Sequence, residues 1–291
     1  MTASRRQTLG LAAAALVLTA AQGAQAADAA LAKAVASETR PAADRARDKF
    51  RNPAESLTFW GLKPGQTVIE ISPGGGYWTE ILAPYAAATK GRYVAGVADL
   101  ANPKVSDGAR KARADFEARF ADTARYGKVE YVGFGAVSGP LGAPGSADLV
   151  LTARNIHNWM WTPGMLPKVM NDFNAVLKPG GILAVEEHRA DPKPMAPDGR
   201  DGYVSEAAVI AAAEAAGFRL AARSEINANP KDTKDHPNGV WNLPPNLNVK
   251  EGDDKAKYEA IGESDRMTLR FIKPEAAAAP AAPAAEPAKQ G

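Results

Sequence analysis

Cysteine is missing from this chain altogether. Its absence excludes disulfide staples, thiolate metal centres and a cysteine nucleophile, and it suits an oxidising compartment. An excess of charge of one sign is missing too. The 35 basic residues face 33 acidic ones, and residues 1–26 hold Arg5 and Arg6 but no acid, so the remainder is balanced. A nucleic-acid partner leaves a basic footprint, and none is written here. Long apolar runs are scarce: the stretch from Leu9 to Ala21 is short and alanine-rich, whereas a membrane anchor needs about 20 strongly apolar residues. Histidine occurs only three times, at His157, His188 and His236.

What is present at the two ends is not domain-like. Arg5 and Arg6 precede the apolar stretch, and Ala24-Gln25-Ala26 offers the small-residue pattern of a cleavage site, which together read as a signal peptide over 1–26. The context Ser4-Arg5-Arg6-Gln7-Thr8-Leu9 resembles a twin-arginine export signal. The expectation is a chain exported to the periplasm or beyond, with no stable membrane insertion after cleavage. At the other end, "EAAAAPAAPAAEPAKQG" (275–291) has no large apolar residue to bury and reads as a disordered Ala/Pro tail.

Between them, 27–54 is polar and Ala-rich, interrupted at Pro41, and predicts two helices covering an edge of the domain that follows. The main domain spans 55–274. Short β-branched runs alternate there with helical stretches, the pattern of a mostly parallel sheet. Strands are expected at 67–71, 92–98, 129–134, 147–153, 181–187, 218–226 and 266–273, with crossover helices at 77–88, 105–123, 164–177 and 204–216. "LKPGG" (177–181) reads as a helix stop before a strand. The connection 227–265 is long, rich in Asn, Pro and Gly, and predicted to be irregular; insertions of that length are usually functional.

Chemistry first shows in "VIEISPGGGYWTEIL" (68–82), a strand carrying Glu70, then a glycine-rich turn, then a helix. At the carboxyl edge of a parallel sheet such a turn faces ligand, because glycine admits positive φ and close approach and the helix start offers free N–H groups. A P-loop would continue into Gly-Lys-Ser/Thr, but Tyr77 and Trp78 follow Gly76. A dinucleotide fingerprint fits Gly74 and Gly76 but meets Thr79 at its third position.

"VIEISPGGG" resembles the first motif of class I S-adenosylmethionine-dependent methyltransferases. The likeness extends over about 55–273. It looks closest to a group of exported bacterial proteins described as predicted methyltransferases, through "SPGGGYWTEILAPY", "RNIHNWM" and "NPKDTKDHPNGVW". The resemblance implies a Rossmann-like α/β fold, a seven-stranded mostly parallel sheet with helices on both faces and a reversed last strand. It also implies S-adenosyl-L-methionine as cofactor, held along Glu70, Ser72, Gly74, Gly75, Gly76 and Tyr77, with Asp99 at the end of the second strand for the ribose hydroxyls. The chain departs from the pattern in two places: Ser72 and Pro73 stand at the loop entry, and Gly135 stands where many members carry an acid for the adenine.

After the fourth strand, "TARNIHNWMW" (152–161) crowds Arg154, Asn155, His157 and Asn158 among tryptophans. His157 is the expected general base, since an ordinary histidine titrates near neutrality, and Asn155 its neighbour at the reacting centre; the bland alternative makes His157 a cap and the tryptophans core. Glu186, Glu187 and His188 close the fifth strand, where alternation predicts that one carboxylate faces away from the core. No H-x-x-x-H spacing occurs, so no metal is assigned, although the three histidines lie on connections that could open on one edge of the sheet. The expected activity is methyl transfer to an unidentified acceptor outside the cytoplasm, with a small molecule as the expected substrate. The competing expectation is an exported nucleoside or small-molecule binding protein that kept the fold and lost catalysis.

Overall fold

The computed structural model describes residues 29–192, 196 and 198–275. The signal-peptide segment and the Ala/Pro stretch from 276 on lie outside the described residues. Seven strands form one sheet: β1 (Thr67–Ile71), β2 (Arg92–Ala98), β3 (Val129–Phe134), β4 (Ala147–Ala153), β5 (Leu177–His188), β6 (Arg219–Ser224) and β7 (Arg266–Ile272). Their order is β3-β2-β1-β4-β5-β7-β6. β7 runs antiparallel to both its neighbours while the strands from β3 through β5 are parallel, so the expected Rossmann-like sheet with a reversed last strand is present.

The central strands are buried on both faces, which their near-continuous apolar runs require. In β1, Ile69 and Ile71 point into a cluster with Val150, Leu183, Met170 and Phe173, while Val68 joins Leu149, Leu151, Tyr93 and Ile81 on the other face. By the same alternation Glu70 shares the face of Val68. Crossover helices α5 (Thr79–Ala88), α6 (Asp107–Arg119), α9 (Met165–Val176) and α10 (Glu206–Ala215) lie where the pattern placed them. Ser106 and Ser205 cap α6 and α10 by accepting from Ala109 N and Ala208 N.

Four local expectations differ. The N-terminal region forms four short helices rather than two, over 29–35 (α1), Ala42–Arg45 (α2), Asp48–Arg51 (α3) and Pro53–Phe59 (α4). They do not cover an edge strand: Leu31, Leu57 and Trp60 join the cluster over the middle of the sheet. β5 starts at Leu177 instead of 181, because "LKPGG" stays in the sheet as a bulged strand start; Gly180 has φ +75° and its N–H donates to Lys273 O at 2.8 Å. Short helices α7 (Thr123–Tyr126) and α8 (Ile156–Met160) precede β3 and follow β4, and the 227–265 connection holds a 3-10 turn at Gly239–Asn242 and helix α11 (Lys255–Ile261), so it is built rather than irregular. Among the described residues no helix is long and apolar enough to cross a membrane.

Candidate functional site

One cavity of about 280 Å³ opens at the carboxyl ends of the parallel strands. Its wall draws on α2 and α3 (Asp44, Arg47, Arg51), the β1–α5 turn (Gly74, Gly75, Tyr77), the end of β4 (Arg154, Asn155, His157), the end of β5 (His188), and the insertion (Trp241, Pro244). Such an edge is where open α/β sheets take ligands.

The glycine turn is only partly a ligand surface. Ser72, Gly74 and Gly76 have φ of +49°, +57° and +82°, so the turn needs its glycines. A Cβ on Gly74 or Gly75 would meet nothing within 4 Å, and both line the cavity, so their backbone is open to a ligand. A Cβ on Gly76 would fall 2.5 Å from Phe120 Cζ. Gly76 therefore serves packing, and it is not among the lining residues. Glu70 braces the turn from below: its Oε2 accepts from Tyr93 OH at 2.6 Å and Thr79 Oγ1 at 2.9 Å. That is why threonine stands where the dinucleotide fingerprint wants glycine. Burial pushes the Glu70 carboxyl up to about 7, against the pull of the Tyr93 and Thr79 hydroxyls. Tyr77 donates to Asp48 Oδ1 at 2.6 Å, and its ring lies 4.4 Å from the Arg51 guanidinium carbon, so it ties the turn to α3.

Asp99 stands at the end of β2, outside the residues that line the cavity. Its Oδ1 accepts from Ala101 N at 3.0 Å, and the side chain lies over Gly133, where a Cβ would come within 2.7 Å of that oxygen. The cavity thus sits over the ends of β1, β4 and β5, with Glu263 and Ser264 from the connection before β7, and not over β2 and β3.

His157 is buried, 4% exposed, on α8. Its Nδ1 lies 3.0 Å from Glu187 Oε1. Glu187 is fully buried and accepts from the backbone of Ile156 at 2.6 Å, His157 at 3.3 Å and His188 at 2.8 Å. A carboxylate bonded to that many N–H groups holds the His157 proton on Nδ1 and leaves Nε2 as the free lone pair. Alternation predicted one outward carboxylate; instead Glu186 and Glu187 are both 0% exposed, because α8 and the arginines described below cover the strand end. Asn155 donates its amide to Ile71 O at 3.0 Å and Thr152 Oγ1 at 3.2 Å, clasping β1 to β4. It lines the cavity, but its donor is spent on the fold.

The histidines divide. His157 and His188 have ring centroids 5.4 Å apart, and with Glu187 they present possible ligand atoms all within 4.8 Å of one another. His236 lies elsewhere, its Nε2 2.9 Å from Asp232 Oδ1 and its ring on Tyr258. Trp241 packs 6.1 Å from His157, so the insertion and the β4 end wall the same cavity.

Sequence reasoning passed over a set of arginines. Arg51 Nε donates to Glu263 Oε2 at 2.9 Å, Arg47 Nε to Glu263 Oε1 at 2.6 Å, and Arg266 Nη1 to Glu263 Oε2 at 2.8 Å. Arg266 Nη1 is also 2.8 Å from Glu186 Oε1, but off hydrogen-bonding direction, so the contact is an ion pair alone. Burial pushes Glu263 up, and Arg266, Arg51, Arg154 and Arg47 overcome it and hold the carboxyl at about 2. Burial, then Arg154, lowers Arg51 to about 9. His188 is held well below the usual histidine range by burial first, then by His157, Arg154, Arg266 and Arg51. Apart from Arg154, already singled out after the fourth strand, the hint in sequence was Arg47 and Arg51, four apart and hence on one helical face.

No protein-family model matches this sequence, and no curated protein matches it. Solved structures do. A SAM-dependent methyltransferase from Aquifex aeolicus aligns over 78% of this chain and 93% of its own, at 17% identity and a TM-score of 0.49. Human N-acetylserotonin methyltransferase in complex with SAM aligns over 80% and 54%, at 14% identity and a TM-score of 0.46. The [4+2]-cyclase SpnF aligns over 82% and 85%, at 16% identity and a TM-score of 0.51. Likeness at that identity establishes a shared fold and leaves the chemistry to the site. Fold and site together define a Rossmann-like α/β chain with a ligand cavity at the carboxyl edge of its sheet.

Proposed function

We propose that the protein transfers a methyl group from S-adenosyl-L-methionine to a small-molecule nucleophile, outside the cytoplasm, with His157 as the base. The observation that carries the reading is the His157–Glu187 pair in the same cavity as the open Gly74–Gly75 turn. The residues present suit the cofactor at its methionine end, where Gly74 and Gly75 leave room against bare backbone and Tyr77 closes the side. Asp99 keeps Oδ2 for a ribose hydroxyl, at the β2 end beyond the cavity. When bound, the cofactor supplies an electrophilic methyl group.

The chain's own part is positioning and proton removal, which is most of what such a transfer needs. Glu187 fixes the His157 ring, Nε2 accepts the acceptor's proton, and the resulting charge is met by the buried Glu187 carboxylate. Trp161 and Trp241, 5.7 and 6.1 Å from the His157 ring, exclude water around it. Twin arginines and the cleavage pattern before Ala27 support the exported location.

A second reading, a binding protein on the same fold, is favoured by one observation: the cavity ends short of Asp99, and Gly135 offers no side chain for an adenine. Isothermal titration with S-adenosylmethionine separates the two. Methyl transfer expects binding that Asp99→Ala weakens about tenfold, the size of one lost hydrogen bond to a charged group. Absence of binding at millimolar donor leaves the binding-protein reading.

A further inference from the structure

Resting on the methyl-transfer reading for the name of the ligand, we propose that the acceptor is a small organic anion whose carboxylate or phosphate seats on Arg51 and Arg154. Arg51 lines the cavity and is 0% exposed, yet Nη1 and Nη2 have no hydrogen-bond partner; only its Nε is used, on Glu263. Arg154, also lining the cavity, leaves Nε unpartnered and is held at φ +60°, a left-handed conformation that a non-glycine residue rarely adopts. Buried guanidinium nitrogens without protein partners are met by water or by a ligand's oxygens, and a bidentate oxyanion matches two such nitrogens side by side.

The balance of charge points the same way. Arg47, Arg51, Arg154 and Arg266 converge on the buried carboxylates Glu186 and Glu263, with Asp44 3.9 Å from Arg47 and shared with Arg119 at 3.5 Å. The excess is positive and buried, and an oxyanion with bidentate geometry suits it. The same field argues against a divalent ion on His157, Glu187 and His188. Glu187 already accepts from three backbone N–H groups and an imidazole, and the arginines beside His188 repel a second cation. The arginines come from α3 and the ends of β4 and β7, on the far side of β1 from Asp99. An anion there lies at the end of the cavity away from the ribose side, and saturation with S-adenosylhomocysteine distinguishes an acceptor's oxyanion from the donor's own carboxylate.

The test is calorimetry of the full chain with inorganic phosphate and, separately, sodium acetate, at ionic strength fixed with sodium chloride, with and without saturating S-adenosylhomocysteine. One anion per chain is expected in both states, phosphate or acetate according to which oxyanion the site prefers. Arg51→Gln and Arg154→Gln should each weaken it about tenfold or more, Arg51→Lys should recover part, and Arg200→Gln should change nothing. S-adenosylhomocysteine affinity should stay within about twofold in all four. No uptake by the wild type overturns the proposal, as does equal uptake by Arg154→Gln, which serves if Arg51→Gln does not fold. Loss of uptake on saturation with S-adenosylhomocysteine also overturns it, since the arginines then hold the donor's own carboxylate. Failure of S-adenosylhomocysteine to bind while phosphate uptake persists and depends on Arg51 overturns the donor reading and leaves the anion site standing.

Discussion

Glu70 and Glu187 are carboxylates buried to nearly the same degree, 3% and 0% exposed, but held in different ways. Glu70 accepts from two hydroxyls and is raised by burial from 4.5 to about 7, so between those values the folded chain binds the extra proton. Stability contributed by that group is therefore present at low pH and falls as pH rises through this window, by on the order of 3 kcal/mol at about 1.4 kcal/mol per unit. Glu70→Gln keeps an oxygen for Tyr93 and Thr79 and should remove the slope: urea denaturation between pH 5 and 8 should show a falling wild type against a flatter variant. Parallel curves would mean that Glu70 stays ionised. Glu187 is instead surrounded by donors, and Glu187→Leu should orphan the N–H groups of Ile156, His157 and His188. A loss of about 3 kcal/mol or more is expected in the same assay. Nitrogen NMR of the imidazole should report Nδ1–H for wild-type His157 and a tautomer mixture in the variant; an unchanged tautomer would remove Glu187 from any orienting role.

At the scale of elements, the glycine turn divides into a ligand side and a packing side, and two substitutions separate them. Gly76→Ala places a methyl 2.5 Å from Phe120 Cζ at φ +82°, with Phe116 also in reach. It should cost about 1 to 3 kcal/mol of stability. Gly74→Ala meets nothing and carries only the φ +57° strain, so it should spare stability more and instead weaken S-adenosylmethionine binding. Thermal melts and titration on the two variants check both; equal binding losses would contradict the division. The sequence made the turn's location legible because a β-branched run, three glycines and a helical pattern leave one geometry. The division was not legible, because Phe120 lies 44 residues beyond Gly76 on the end of another helix. Strand positions were legible for the same local reason. The start of β5 was not, since a Pro-Gly-Gly signal that reads as a helix stop is held in the sheet here by pairing with Lys273. Helix α8 was hidden because its cap is Glu187, thirty residues away in β5.

Over the whole molecule, the candidate site is closed by segments from both ends of the folded body, and that is why much of it escaped the sequence. His157 was legible from its place after the fourth strand, whereas Arg51 meets Glu263 across 212 positions with no motif to announce either. The N-terminal helices are consequently part of the site and not a separable cover, because Arg47, Arg51 and Tyr77 meet there. Such an assembly needs residues 42–60 and 263–272 folded together before it can bind anything. A twin-arginine signal, as expected from the sequence, would export such an assembly already folded. The pair Arg5-Arg6, the mild Ala-rich stretch after it and Ala24-Gln25-Ala26 then predict a mature protein that starts at Ala27 outside the cytoplasm. N-terminal sequencing of the exported form should read Ala27 first. Replacing Arg5 and Arg6 by lysine should hold the precursor in the cytoplasm, since lysine keeps the charge but not the guanidinium pair that the signal presents. Met1 retained on an exported, ligand-binding protein would remove the cleavage claim, and export unimpaired by the lysine pair would remove the folded-export claim.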